Sequence, residues 1–147
     1  FLEEFFRVDK IKKRADLAVL LAKSGKTECS IGVYSRDGMY LLRLKNKMLI
    51  NKHIHEGSED YRQLDATVLK CFILDRSGVS SDQIIYSKDI NEAMSLVDSN
   101  QAQISFVLNP VKVQQIKAIA LNGERMPPKT TYFYPKVLSG LTVYKID

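Results

Sequence analysis

The chain of 147 residues has no tryptophan, two cysteines, two histidines and four prolines. Each scarcity excludes something. His53 and His55 share one polar stretch, so a Ser-His-Asp or Cys-His catalytic arrangement has little to be built from. His53-Ile54-His55-Glu56 sets two imidazoles on alternate residues, which share a face in an extended segment. A metal site needs three or four ligands, and there is no third histidine or well-spaced cysteine. A solvated loop is therefore the expected role, and no metal or cofactor is assigned to this stretch. Cys29 falls in an expected strand and Cys71 in an expected helix, without metal spacing. They read as two buried free thiols of a cytoplasmic protein. No apolar run approaches the roughly 18 residues of a membrane-spanning helix, so no membrane partner is expected. The opening Phe1-Leu2-Glu3-Glu4-Phe5-Phe6 has neither the basic start nor the cleavage pattern of a signal peptide. It also lacks an initiator methionine, and the expectation is a fragment of a longer protein.

The length allows one domain, residues 1–147, with a sizeable core. The net charge is +5, but the ends are basic and the middle is acidic. Basic ends are compatible with an anionic ligand. Lys10-Ile11-Lys12-Lys13-Arg14 is the densest basic cluster. No recognised binding motif accompanies it, so nucleic acid is disfavoured as a partner.

Asp9 is placed to cap a helix running to about Ser24, with Ile11, Ala15, Ala18 and Ala22 at helical spacing and Leu17, Leu20 and Leu21 widening the stripe. Gly25 ends it. Cys29 to Ser35 and Met39 to Lys45 are rich in strand formers, and Arg36-Asp37-Gly38 between them marks a hairpin turn, Asp-Gly supplying positive φ. After the polar residues 46–60, a helix is expected from about Tyr61 to Asp75, burying Leu64, Val68, Cys71 and Phe72, with Gly78 closing it. Gln83 to Ser87 reads as a short strand. Asp89 and Glu92 form a capping-box pattern for a helix through Leu96-Val97. Ile104 to Leu108 reads as a strand buried on both faces. Asn109-Pro110 opens a helix that turns Val113, Ile116, Ala120 and Leu121 to the core and stops at Asn122-Gly123. Leu141 to Ile146 alternates like a half-exposed strand. The fold class is α+β: a mixed β-sheet with a β-hairpin and about four helices packed on it. The unit from Gln83 to Leu108 fits a parallel crossover.

Two segments invite a phosphate. Ser24-Gly25-Lys26-Thr27 looks like the tail of a P-loop, but position 20 is Leu where that motif needs Gly, and the segment ends a helix instead of starting one. A helix stop explains it better. The second is Glu124-Arg125-Met126-Pro127-Pro128-Lys129-Thr130-Thr131-Tyr132-Phe133-Tyr134-Pro135-Lys136. Its prolines preorganise a loop. Lys129 and Lys136 supply charge, and Thr130, Thr131, Tyr132 and Tyr134 supply hydroxyls, with a ring available for stacking. This suits a phosphate or carboxylate. It equally suits a crossover whose aromatics plug the core.

Phe106-Val107-Leu108-Asn109-Pro110, the segment Gly123 to Lys136 and Ser139-Gly140-Leu141 together resemble the C-terminal half of the ParB-like (Spo0J-like) uncharacterised family, domain of unknown function ten-fifteen. Leu64-Asp65-Ala66-Thr67-Val68-Leu69 and Tyr40-Leu41-Leu42-Arg43-Leu44-Lys45 extend the resemblance, and Thr130 stands where the family usually has serine. It implies a bacterial or archaeal parent with an N-terminal half carrying an Asp-Gly-His-His-Arg motif, similar to the phosphate-contacting box of nucleotide-dependent relatives. Neither histidine here follows Asp-Gly. The resemblance thus implies the C-terminal domain of a nucleotide- or phosphate-using enzyme, phosphotransferase-like if the parent is catalytic. The missing N-terminal half would be its partner, and loop 124–136 would line a cleft for a small phosphorylated ligand. A non-enzymatic module binding nucleic acid or protein is the alternative.

Overall fold

Hydrophobic residues on both faces of a β-hairpin force it to the centre of the fold. The structure is a computed structural model, and it describes residues 1–131. The hairpin strands are β2 (Ser30–Ser35) and β3 (Gly38–Leu44), paired antiparallel from Ser30↔Arg43 to Ser35↔Gly38. The turn is tighter than the sequence implied. Gly38 already pairs with Ser35 and carries φ 145°, so the positive φ falls on Gly38 as the first strand residue. A strand not anticipated in the sequence, β1 (Phe6–Ile11), pairs antiparallel with β3, and β4 (Ile104–Leu108) pairs antiparallel with β2. The order is β1-β3-β2-β4.

Two layers of helices follow from the alternation. Phe6, Ile31, Val33, Leu42 and Leu44 point to one face, where they meet Val68, Phe72 and Ile73. Ile11 and Leu41 point to the other, where Leu17 and Leu21 of α2 (Asp16–Ser24) and Met94 of α7 (Ile90–Asp98) cover them. Gly32 is flat on that second face. A Cβ there would meet Leu17 Cδ1 at 3.1 Å and Val107 Cβ at 3.3 Å, so the missing side chain sets how closely α2 approaches. The α+β class of the sequence reading is the class observed.

The first face is covered by short pieces of helix: α3 (Met48–His53), α4 (Glu59–Arg62), α5 (Asp65–Leu69), a π-helical turn (Lys70–Leu74) and α6 (Asp75–Ser77). A one-turn helix, α1 (Leu2–Phe5), precedes β1. The helix expected over 61–75 is thus broken at Leu64, whose ψ of 134° is extended, and ends as expected at Gly78 in the left-handed region. The π turn lets consecutive residues Phe72 and Ile73 both bury. Phe72 lies edge-on to Phe5 at 4.9 Å and to Phe6 at 6.2 Å. His53, expected in a solvated loop, instead sits in the last turn of α3 and packs edge-on to Phe5 at 5.4 Å and Phe72 at 5.6 Å. Burial of Leu64, Val68 and Phe72 agrees with the sequence, while Cys71 is only half-buried.

Several local expectations fail for identifiable reasons. Asp9 does not cap a helix; it lies in β1 and accepts from Arg43 Nε at 2.8 Å. The helix begins only at Asp16, and Leu17 and Leu21, not the alanines, form its buried face. No strand forms over 83–87: Ser81–Gln83 is a single 3-10 turn, so the parallel crossover is absent and the described strands are all antiparallel. Asp89 does cap α7, accepting from Asn91 and Glu92 N–H at 2.7 and 2.9 Å, but the Glu92 carboxylate takes the Ser87 hydroxyl instead of closing the box on Asp89. β4 bonds only β2 among the described strands, and Ile104 is exposed, so this strand is not buried on both faces. The last described helix, α8 (Val113–Leu121), buries Ile119 with Ile116 half-buried and leaves Val113, Ala120 and Leu121 exposed, so only Ile116 of the expected face is kept. Its start is three residues later than Pro110 implied because the Asn109 side chain is used elsewhere. The strand expected at Leu141 to Ile146 lies outside the described residues.

Candidate functional site

The turn after α2, the start of α5 and the start of α8 meet around one polar knot. Asn109 Nδ2 donates to Ser30 Oγ at 3.3 Å, to Ser30 O at 3.4 Å and to Asp65 Oδ2 at 3.2 Å. Gly25 makes this possible. Its backbone is ordinary right-handed helix at φ −63°, so it is not there for a left-handed turn. A Cβ at Gly25 would lie 2.4 Å from Asn109 Nδ2 and 2.5 Å from its Cγ, so the Asn109 amide occupies the space a side chain would fill.

Asp65 is mostly buried, and burial raises its pKa above the ordinary carboxylate value; hydrogen bonds from Cys29 and Asn109 and the charge of Lys112 act against that rise. The Cys29 thiol is pushed far up, first by burial and then by the neighbouring Asp65. A thiol so held is a hydrogen-bond donor to Asp65 and not a nucleophile at neutral pH. Both cysteines are free, as expected; burial also raises Cys71.

Above the knot opens a cleft of about 140 Å³ lined by Lys26, Lys47 and Lys112, with Glu28, Cys29 and Asp65 and the amides of Gln63 and Gln115. None of the three lysines joins an ion pair among the described residues. The nearby acids are otherwise engaged. Glu28 faces Arg7 at 3.7 Å and Arg43 at 3.6 Å and accepts from Ser24 Oγ at 3.2 Å. Asp65 holds Asn109 and Cys29. Lys112 Nζ reaches the Gly25 carbonyl at 3.5 Å, and its charge acts on Asp65. The three lysines outnumber the two carboxylates that line the same concavity, and a bound anion would complete the balance.

Lys26 and Thr27 belong to the segment that resembled a P-loop tail. The segment does end a helix, as the sequence indicated, and it reaches the cleft by its side chains. Lys47, Asp65 and Lys112 were not singled out as ligand contacts. The available signal was indirect: Asp65 and Asn109 lie in two of the segments that carried the family resemblance, and here they touch.

The loop read as a ligand site is described only in part. Tyr132, Tyr134 and Lys136 lie outside the described residues. Lys129 is exposed and holds φ 61°, a left-handed conformation uncommon for lysine. Thr130 donates its hydroxyl to the Pro127 carbonyl at 2.6 Å, closing a turn, and Thr131 is exposed. Glu124, at the root of the loop, accepts from Ser58 N–H at 2.5 Å and from the Ser58 hydroxyl, so it fastens the end of α8 to the cap of α4. The cleft lies at the opposite end of α8, whose nine residues span about 13 Å. Lys129, Thr130 and Thr131 do not line it. No group of three or more metal-ligating side chains occurs among the described residues, and no helix there is long and apolar enough to cross a membrane. Arg14, from the basic cluster, is committed to Asp98 at 2.8 Å and lies over the Tyr34 ring at 5.0 Å.

Comparison with family models, with curated proteins and with solved structures gives no match.

Proposed function

We propose that this chain is the C-terminal domain of a ParB-related protein that uses a nucleotide or another phosphate compound, and that it contributes a binding site for the anionic part of the ligand. The observation that carries the reading is the convergence of Lys26, Lys47 and Lys112 on one cleft without an ion-pair partner among the described residues. Lysine ammonium groups suit a phosphate as point charges, and the amides of Gln63 and Gln115 add neutral donors. Any phosphotransferase-like chemistry belongs to the parent, with groups from its other half. Lys129, Thr130, Thr131, Tyr132, Tyr134 and Lys136 are assigned a second contact, toward that half.

Titration of the chain with pyrophosphate, followed by thermal unfolding, tests this. Ligand at about a hundred times its dissociation constant should stabilise the wild type by about 2.7 kcal/mol. Lys26→Ala and Lys112→Ala should each weaken binding several-fold. Equal shifts in wild type and both variants would refute the assignment.

A further inference from the structure

The cleft is selective in ways that go beyond its charge. Its volume of about 140 Å³ is close to the roughly 150 Å³ of an apolar protein cavity that holds benzene, and well below the roughly 300 Å³ at which pockets for drug-sized ligands begin. Among the described residues no aromatic ring lines it, so they offer a nucleobase no stacking surface there. The one apolar lining side chain that is fully buried, Ile50, sits among amides and charges.

Asp65 is the informative residue. An ionised carboxylate offers about four acceptor positions. The Asn109 side chain takes one at 3.2 Å, the Asn109 backbone N–H a second and the Cys29 thiol a third. Asp65 lines the cleft with about one acceptor position left. The negative charge of a phosphate repels an ionised carboxylate. A hydroxyl on the ligand would satisfy it. Gln63 and Gln115 border the same space; the Gln115 carbonyl already accepts from Lys112 N–H at 2.9 Å, which leaves its amide N–H groups as donors.

We propose that the ligand of this cleft is a phosphorylated polyol, its phosphate held by Lys26, Lys47 and Lys112 and a hydroxyl on the adjacent carbons held by Asp65. This rests on the anion-binding reading above and names its substrate class. The polar lining then serves both ends of one small molecule, and the described residues offer no ring that would favour a nucleoside. A site built to bond a hydroxyl rejects an analogue that lacks it, because the buried acceptor is left unpaired.

Isothermal titration of the chain with glycerol phosphate, propyl phosphate, pyrophosphate and adenosine monophosphate tests the proposal. The wild type should bind glycerol phosphate at least about tenfold more tightly than propyl phosphate, a difference of about 1.4 kcal/mol, and more tightly than adenosine monophosphate. Asp65→Asn should erase the preference for glycerol over propyl phosphate while binding of pyrophosphate persists or improves. The comparison of the two phosphates needs no variant, so it stands even if Asp65→Asn fails to fold. Equal affinity for glycerol and propyl phosphate, or tighter binding of adenosine monophosphate, would overturn the polyol assignment and leave the anion reading intact. Failure of all four to bind would overturn both.

Discussion

Replacing Gly25 by alanine separates two opposing effects. Gly25 is in the right-handed helical region, where alanine is normally favoured, and the substitution should then stabilise by about 0.4–1 kcal/mol through the unfolded chain. The local packing opposes this. The added Cβ would stand 2.4–2.6 Å from the Asn109 amide atoms, nearly 1 Å inside ordinary van der Waals contact. The Asn109 side chain is the only part that can move, and moving it breaks the bonds to Ser30 and Asp65. Asp65 would keep the Cys29 thiol and the Asn109 backbone N–H but lose the Asn109 side-chain amide while still mostly buried. Leaving such a group short of a partner costs about 1–3 kcal/mol. The net effect of Gly25→Ala should be destabilisation of about 1–2 kcal/mol in urea unfolding. In an Asn109→Ala background the same substitution should be neutral or stabilising, because the clash is gone. Stabilisation by Gly25→Ala in the wild-type background would refute the reasoning, as would an equal cost in both backgrounds.

Other substitutions test other joints. Phe72→Ala removes a fully buried ring packed on Phe5, Phe6 and His53, and should cost about 3–5 kcal/mol by the same assay; a loss below about 1 kcal/mol would mean that the aromatic cluster is not part of the core. Glu124→Ala leaves the Ser58 amide and hydroxyl without their carboxylate and should cost about 1–3 kcal/mol, with the effect of a second change, Ser58→Ala, smaller than additive. Because the Asp65 pKa is raised in the fold, the native state holds a proton that the unfolded state has released, so this residue's contribution falls as pH rises from the ordinary carboxylate range through the raised value. The Asp65→Asn variant should therefore gain stability relative to wild type as pH rises through that window, read from melting temperatures at several pH values. A constant difference would refute the burial of a charged carboxylate.

Much of the fold was legible because it rests on local pattern. The Cys29 to Lys45 hairpin follows from two runs of strand formers around Asp37-Gly38, and the cap at Asp89 from a side chain that needs only its own neighbours. The buried stripe Leu64, Val68 and Phe72 keeps helical spacing even across the break at Leu64. What was not legible depends on distant partners. Asp9 and Ile11 read as the cap and first apolar position of a helix; they lie in a strand because β3 offers a free edge and Arg43 takes Asp9. Asn109 had the ideal chemistry for a helix cap, yet its amide goes to Ser30 and Asp65, 79 and 44 residues away in the chain. His53 gained its place from Phe5 and Phe72, which no local rule connects to it. The candidate cleft is assembled from four separate segments, so no spacing in the sequence could display it. The Ser24-Gly25-Lys26-Thr27 segment drew notice for a motif it does not form, and three of its residues line the cleft for another reason.

The most direct test of the central claim is to see where a phosphate compound binds. Amide chemical shifts of the isotopically labelled chain, followed during a titration with glycerol phosphate or pyrophosphate, would locate it. The account expects the largest and saturable changes at residues 25–29, at Asp65 and at residues 112–115, with Lys26→Ala suppressing them. Changes confined to residues 124–131, or none that saturate, would contradict it.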